Sequence, residues 1–293
     1  MTSTTVIQPN AAEPAPVGKL LRRWRERRMV SQLELALRAG VSARHLSFVE
    51  TGRSRPTSEM ILRLAHQLDV PLRERNVLLL SGGYAPAFPV NRLADPPMRA
   101  VHEAIEHVLH AHQPYPAVVI DAGWDMVAAN EAVPLLTDGA APELLEPPVN
   151  VLRLSLHPDG MAPRIVNLPE WRAHLLDRLS RDIEATASPA LVALREELAA
   201  YPCPPSVARP DTRAILVPLR LRVHDSVLSL FSTTTVFGTP REVTLSELAI
   251  ESFYPADAPT AEFLRFHARD RLLKAWERDF YLIQKDLEKD NRI

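Results

Sequence analysis

Residues Ser31 to Gly52 read SQLELALRAGVSARHLSFVETG, and this stretch predicts two short helices joined by a tight turn. Ser31 and Glu34 have the spacing of an S-x-x-E capping box, which would begin the first helix. Gly40 suits the turn because glycine tolerates a left-handed backbone, and Gly52 can end the second helix in the same conformation. The pattern is typical of a helix-turn-helix.

The second of these helices has two different faces. Ser42 is a suitable N-cap for it. Leu46 and Val49, three residues apart, are predicted to face the protein, whereas Arg44 and Phe48, four residues apart, share the opposite face. A recognition helix likewise packs one face against the protein and places the opposite face in the major groove of DNA. The stretch therefore predicts a DNA-binding unit.

The run from Leu20 to Val70 resembles the five-helix DNA-binding domain of the XRE (phage repressor-like) regulators, with the SQ opening, the AG turn and the ETG ending in register. The resemblance implies that Arg25 in the first helix pairs with Glu50 in the recognition helix, an ion pair that holds geometry more than it adds stability. Leu33 and Leu37 depart from the family pattern, which usually has polar residues there. We expect them to dock against the second domain or a partner subunit, and incidental surface exposure is the alternative.

Predicted DNA contacts cluster on and around the recognition helix. Arg44 can donate two hydrogen bonds to guanine O6 and N7, and Phe48 can meet a thymine methyl group. Gln32 is placed to bind a phosphate and to brace the recognition helix, and the residues after the helix are expected to contact the DNA backbone. The full predicted set is Gln32, Ser42, Ala43, Arg44, Ser47, Phe48, Thr51, Arg53 and Arg55. One unit makes too few contacts for selective binding, so we expect a homodimer on a double-stranded DNA operator with paired half-sites.

Charge is distributed unevenly along the chain. The 293 residues have a net charge of −2, but residues 17–81 contain 13 Lys and Arg against 6 Asp and Glu, which gives +7. The remainder therefore has a net charge of −9. A basic N-terminal module on an acidic body indicates that one end of the protein meets phosphate groups.

Composition limits the remaining classes of function. Cys203 is the only cysteine, which argues against an internal disulfide framework and a cysteine-based metal site. No G-x-S-x-G, H-E-x-x-H or glycine-rich phosphate loop occurs, so we expect no enzyme activity, no catalytic residues, no metal and no cofactor. With no signal peptide and no long apolar run in the sequence, we expect no membrane partner and a cytoplasmic protein that is nucleoid-associated when bound to DNA.

Beyond the first helices, the pattern predicts an α+β fold with an all-α N-terminal domain and a PAS-like C-terminal domain. The second domain is expected to be an antiparallel sheet with helices over one face, because two strands, a helical middle and three strands follow one another. The predicted strands cover residues 117–121, 125–129, 213–223, 227–237 and 243–253. The predicted divisions are a disordered arm (1–16), the DNA-binding domain (17–83), a connector and linker helix (84–112), the PAS-like domain (113–260) and an amphipathic helix (261–293).

Three segments of the second domain, Trp124–Asn130, Pro147–Leu175 and Phe237–Asp257, resemble the ligand-binding domain of MmyB-like transcription regulators. The resemblance implies a PAS-like sensor for fatty acids or similar acyl compounds. Such a ligand needs an apolar cavity and a donor for its carboxylate. Our candidates for the head group are Asn150, Arg153, His157 and Arg164. For the two arginines, the alternative is a structural ion pair with Asp159 or Glu170.

The sequence thus predicts a transcription regulator whose C-terminal domain senses a small hydrophobic effector. Two other classes of protein stay open. An antitoxin-like protein that uses DNA for autoregulation would copurify with a second polypeptide. An acyl-processing enzyme with a DNA-targeting domain would turn over acyl esters or thioesters.

Overall fold

The computed structural model of the protein describes residues 15–205 and 216–290, with side chains up to residue 274. The helices before Val90 form one compact unit, and the elements from Asn91 onward make up the body of a second. The mixed α+β class is confirmed. The predicted disordered arm at residues 1–16 lies almost wholly outside the described residues, and the predicted domain boundaries stay predictions.

The first unit contains five helices, as the sequence predicts. Their bounds are α1 (Val17–Arg27), α2 (Gln32–Ala39), α3 (Ala43–Glu50), α4 (Ser58–Gln67) and α5 (Leu72–Ser81). Helices α2, α3 and α4 each begin with a hydroxyl that accepts a hydrogen bond from the backbone N–H three residues later. These N-caps are Ser31, Ser42 and Thr57. Local capping residues therefore determine where these three helices begin.

Two glycines adopt the left-handed backbone that the sequence predicts, with φ of +64° at Gly40 and +77° at Gly52. The capping box is only half formed. Ser31 accepts from the backbone N–H of Glu34, but the carboxylate of Glu34 is engaged by Arg38, one helical turn further along. An exposed (i, i+4) ion pair has thus replaced the return hydrogen bond.

Helices α1 and α3 approach each other closely at Gly18. A methyl group added to Gly18 would lie 2.1 Å from the carbonyl oxygen of Val49. Around this contact, Leu21 of α1 and Leu46 of α3 are completely buried. On α2, by contrast, Leu33 and Leu37 are 62% and 74% exposed, which confirms that they point outward.

The second unit is built on a five-stranded antiparallel sheet. Its strands are β1 (Ala117–Ile120), β2 (Met126–Ala129), β3 (Leu219–Val223), β4 (Ser226–Val236) and β5 (Ala249–Pro255). Their spatial order is β2-β1-β5-β4-β3. The first two strands, predicted at residues 117–121 and 125–129, pair with each other as an antiparallel hairpin.

The prediction of a strand over residues 243–253 is wrong at its start. Residues Val243–Glu247 form a short helix, α11, and β5 begins only at Ala249. Both strands beside β5 end at this level, because Ala249 pairs with Ile120 of β1 and with Val236 of β4. Residues before Ala249 have no neighbouring strand to bond with, so their backbone groups bond within a helical turn instead.

The helices of the second unit cover both faces of this sheet. They are α6 (Arg99–Ala111), α7 (Val133–Thr137), α8 (Val151–Leu156), α9 (Leu168–Thr186), α10 (Pro189–Ala200) and α12 (Ala258–Asp290). Apolar residues of α7 to α10 pack in one core cluster with one face of the sheet. On the opposite face, α6 packs through Ile105 and Leu109, so the predicted linker helix is part of the fold.

The last helix, α12, matches the helix predicted at residues 261–293 as far as Asp290. The side chains of α12 after residue 274 lie outside the described ones, so the amphipathic character of this helix stays a prediction. No helix in the described part of the chain is long and apolar enough to cross a membrane.

We expect that Gly18→Ala destabilises the first unit. Alanine has the better helix propensity by about 1 kcal/mol, but the overlap with a backbone oxygen forces α1 and α3 apart. The net loss should be about 1–3 kcal/mol, measured by urea unfolding of the full chain. Gly238→Ala is the control, because its added methyl group would meet no atom within 4 Å. A Gly18→Ala protein as stable as this control would contradict the close packing.

Candidate nucleic-acid interface and ligand cavity

The recognition helix is held in place by a buried carboxylate. Arg25 donates from Nε and Nη2 to the two oxygens of Glu50, at 2.7 and 2.9 Å, which confirms the pairing that the resemblance implies. Gln32 adds a third hydrogen bond, from Nε2 to Glu50 Oε2 at 2.7 Å. The hydrogen bond with Glu50 raises the pKa of Arg25. One side chain at the end of α3 therefore connects three helices.

The outward face of α3 matches the prediction. Leu46 and Val49 are buried, Arg44 is exposed and Phe48 is half-buried. The guanidinium carbon of Arg44 lies 5.4 Å from the ring centre of Phe48, and that of Arg53 lies 6.0 Å from it. A cation–π contact positions an arginine without using its N–H groups. Both arginines can therefore still donate hydrogen bonds to DNA.

The other predicted DNA contacts divide into two groups. Ala43 and Ser47 are on α3, and Ser42 is its N-cap. Thr51 directly follows the helix, and its hydroxyl donates to the Ser47 carbonyl at 2.7 Å. Gln32 and Arg55 instead have partners inside the protein. Arg55 donates to the carbonyl oxygen of Gly82 at 3.0 Å and lies 5.8 Å from the ring centre of Tyr84.

This arrangement gives Gln32 the bracing role that we predicted, while a phosphate contact by it stays a prediction. Arg55 ties the loop after α3 to the end of α5. The remaining predicted residues lie on or beside α3, and contacts between them and DNA stay a prediction; they are Ser42, Ala43, Arg44, Ser47, Phe48, Thr51 and Arg53.

The second unit encloses a cavity of about 70 Å³ between the sheet and helices α7, α8 and α9. Carbon atoms form nearly all of its wall. The lining residues are Val118, Ile120, Trp124, Met126, Val133, Leu136, Thr137, Val151, Leu152, Leu154, Ser155, Met161, Trp171, Leu175, Arg178, Leu219, Glu251 and Phe253.

A small part of the cavity wall is an ion pair that we did not predict from the sequence. Arg178 on α9 donates to both oxygens of Glu251 on β5, at 2.7 and 2.8 Å, and also to the hydroxyl of Thr234 at 3.0 Å. Its guanidinium carbon lies 4.9 Å from the ring centre of Trp124. Burial alone would raise the pKa of Glu251, because it disfavours the negative charge. The hydrogen bonds and the positive charge of Arg178 outweigh this effect, so the pKa of Glu251 lies below its ordinary value.

None of the four predicted head-group residues lines this cavity. Asn150 caps α8 by accepting from the N–H of Arg153, and it donates to the carbonyl of Gly123 at 2.9 Å. Arg164 donates to the carbonyl oxygen of Leu136. His157 accepts at Nδ1 from a backbone N–H, at 3.1 Å.

The ion-pair alternative holds for Arg153, but the expected partners are wrong. Arg153 donates to both oxygens of Glu197 on α10, at 2.8 and 2.9 Å, rather than to Asp159 or Glu170. Tyr201 donates to the same carboxylate. Burial and the neighbouring Glu197 raise the pKa of Tyr201 to about 12. These residues form a contact between α8 and the end of α10, outside the cavity.

The sequence did contain a faint signal for the missed pair. Glu251 lies in the apolar strand AIESF, where a charged residue must find a partner because its neighbours are buried. Its partner is 73 residues earlier, so no local pattern could identify Arg178.

Two family models match the chain. The model of the MmyB-like transcription regulator ligand binding domain matches residues 101–266, which is more than half of the chain. The chain belongs to this MmyB-like family. A helix-turn-helix model matches residues 21–75. The MmyB-like protein is therefore a DNA-binding transcription regulator with a domain for a small-molecule effector.

Solved structures give weaker likenesses to this MmyB-like chain. The clp gene regulator ClgR from Corynebacterium glutamicum is 24% identical, over 36% of this chain and 99% of its own, with a TM-score of 0.21. An RNA-binding light-oxygen-voltage receptor is 14% identical, over 92% of this chain and 66% of its own, with a TM-score of 0.25. No curated protein matches the chain. The family assignment rests on the two family models, because both TM-scores are low.

We expect that Glu50→Ala strongly destabilises the first unit. It leaves Arg25 buried without its partner, and breaking a buried ion pair in this way costs about 3–5 kcal/mol. The double variant Arg25→Met, Glu50→Leu should cost less than Glu50→Ala, because no charge is left unpaired. Urea unfolding followed by circular dichroism measures both. Equal losses in the two variants would contradict this account of the pair.

Proposed function

We propose that this MmyB-like regulator binds a double-stranded operator as a homodimer, through the face of α3 that presents Arg44 and Phe48. The observation that supports it most is the division of α3 into a buried face, with Leu46 and Val49, and this exposed one. The net charge of +7 over residues 17–81 favours approach to DNA from this unit.

Arg44 is proposed to read a guanine, because its planar guanidinium can donate to O6 and N7 together. The half-buried ring of Phe48 would support Arg44 and leave one edge for a thymine methyl group. Arg53, at the other side of the same ring, is proposed to contact phosphate. One arginine would thus read a base and the other would position the helix on the DNA backbone, and both would contact the ring of Phe48.

The second unit is proposed to be a PAS-like sensor that holds the effector in the cavity beneath α7, α8 and α9. The order of two strands, a helical middle and three strands supports the PAS-like description. The apolar wall suits an alkyl chain, and we propose a fatty acid or similar acyl compound as the ligand class, with no resident cofactor. Binding would change operator affinity only if the effector prefers one of two conformations.

Size sets a condition on this binding. The cavity of about 70 Å³ is smaller than the roughly 300–1,000 Å³ of common ligand pockets. An alkyl chain must therefore displace lining side chains. Met126 and Met161 are suitable for this, because a methionine side chain is unbranched and repacks readily.

We expect that Arg44→Ala weakens operator binding by about 1–3 kcal/mol and reduces the preference for operator over unrelated DNA. Arg53→Ala should weaken binding to both kinds of DNA alike, because a phosphate contact has no sequence preference. Fluorescence anisotropy with an operator selected from random DNA measures these affinities. Arg195→Ala, on α10 of the second unit, is the control for loss of one positive charge. Unchanged preference in Arg44→Ala would contradict the proposed reading.

For the effector, we expect Leu175→Phe to reduce the amount of hydrophobic ligand that the purified chain retains, because the phenyl ring is larger than the leucine side chain and fills the cavity. Arg153→Ala should retain as much ligand as the wild-type chain, since Arg153 lies outside the cavity wall. Native mass spectrometry measures ligand per chain in both variants. Loss of ligand in Arg153→Ala but not in Leu175→Phe would move the site to the originally predicted head-group residues.

A further inference from the structure

The second unit also contains an open groove that is separate from the cavity beneath α7, α8 and α9. The groove has a volume of about 540 Å³ and shares no lining residue with that cavity. Its walls come from the segment between α8 and α9, the first turn of α9, the segment after α10, and β3. Its volume lies within the roughly 300–1,000 Å³ of common ligand pockets.

Proline residues make much of this wall rigid. Six of them line the groove, which is called the proline groove: Pro158, Pro163, Pro169, Pro202, Pro204 and Pro205. The proline ring fixes φ, so these segments have little backbone freedom to lose when a ligand binds. Two hydrogen bonds also join β3 to the segment before α9, from Val166 N–H to the Arg220 carbonyl at 2.8 Å and from Arg220 N–H to Asn167 Oδ1 at 3.0 Å. The proline groove is therefore largely preformed.

Two opposite charges line the proline groove without a partner in the described part of the chain. They are the guanidinium of Arg220 on β3 and the carboxylate of Glu170 in the first turn of α9. Neither side chain forms a hydrogen bond or an ion pair with another described residue, including each other. The cavity differs in this respect, because its two charged residues, Arg178 and Glu251, satisfy each other.

The two unpaired charges are close enough for one small ligand to meet both. The backbone of Arg220 is bonded to Asn167, and Glu170 follows Asn167 by about one helical turn. A ligand with a carboxylate at one end and an ammonium group at the other can form a charge-assisted hydrogen bond with each residue. The charges of the proline groove thus fit a zwitterion.

Backbone acceptors favour a peptide among zwitterions. Proline has no N–H, so the wall segments offer carbonyl oxygens without matching donors. The carbonyl oxygens of Pro202 and Pro204 accept no hydrogen bond from any residue that the structure describes. A peptide brings backbone N–H groups to such acceptors, and its apolar side chains can pack on Ile165 and Leu168, which also line the groove.

The volume sets the length of such a peptide. A cube of 540 Å³ has an edge of about 8 Å. An extended tripeptide is roughly 10 Å long, at about 3.4 Å per residue. Two or three residues therefore suit the proline groove.

We propose that the proline groove binds a short peptide of two or three residues with free termini. The peptide carboxylate pairs with Arg220, and the peptide ammonium group pairs with Glu170. This site is separate from the acyl cavity, so the inference goes beyond the proposed function, and the failure of either leaves the other standing.

Three forms of the tripeptide Ala-Leu-Ala test the inference on the full-length wild-type chain. One form has free termini, one is acetylated at its amino end only, and one is also amidated at its carboxyl end. At pH 6.5 both free termini are charged, since the α-amino group titrates near pH 8 and the α-carboxyl group near pH 3.5. Isothermal titration calorimetry should show the free form binding about tenfold or more tighter than the doubly blocked form, with the acetylated form between them.

Equal affinities of the three forms would overturn the inference, because the terminal charges would then not matter. Binding by none of them would overturn it as well. That second result is the one expected if another segment of this chain or a second copy already fills the proline groove.

Two charge-removing variants identify the residues responsible. Arg220→Gln should bring the acetylated peptide to the affinity of the doubly blocked one, and Glu170→Gln should bring the free peptide to the affinity of the acetylated one. Arg222→Gln on β3 and Glu196→Gln on α10 are the matched controls, because neither residue lines the groove, and both should keep the wild-type preferences. None of the four side chains is buried, and circular dichroism verifies that each variant is folded. Wild-type preferences in folded Arg220→Gln and Glu170→Gln proteins would show that these residues do not bind the peptide termini.

Discussion

The DNA-binding unit depends on the carboxylate of Glu50, which accepts hydrogen bonds from Arg25 on α1 and Gln32 on α2 while lying at the end of α3. A buried carboxylate with three charge-compensating or polar hydrogen bonds tolerates little displacement, because any movement leaves charge unpaired. The direction of α3 is fixed by this requirement and by the close contact at Gly18. The outward positions of Arg44 and Phe48 follow from that direction.

Three of the arginine–glutamate ion pairs in this chain have different structural roles, because their surroundings differ. Arg25–Glu50 is buried between helices and fixes their geometry. Arg153–Glu197 is substantially exposed, where solvent weakens the attraction and such pairs contribute little. Arg178–Glu251 is buried in a cavity wall, where it joins α9 to β5 without adding net charge to the cavity. Distance alone would not separate these roles, since all three pairs are bidentate with short hydrogen bonds.

Sequence reasoning succeeded where the governing interactions are local. Caps such as Ser42 and the left-handed Gly40 act within a few residues, so the helices of the first unit and the faces of α3 could be predicted. It failed where distant segments meet. The start of β5 depends on where two other strands stop, and the cavity wall joins Arg178 to a residue 73 positions away. The head-group candidates were chosen from one contiguous segment, whereas the cavity draws its wall from most of the second unit.

We propose that a small hydrophobic molecule in the second unit controls operator binding by the first. The most direct test is the operator dissociation constant of the full chain, measured with and without a saturating ten-carbon fatty acid. Differential binding to two conformations predicts a change of about tenfold or more, in either direction. The same dissociation constant in both conditions, with the ligand shown to be bound, would contradict the account.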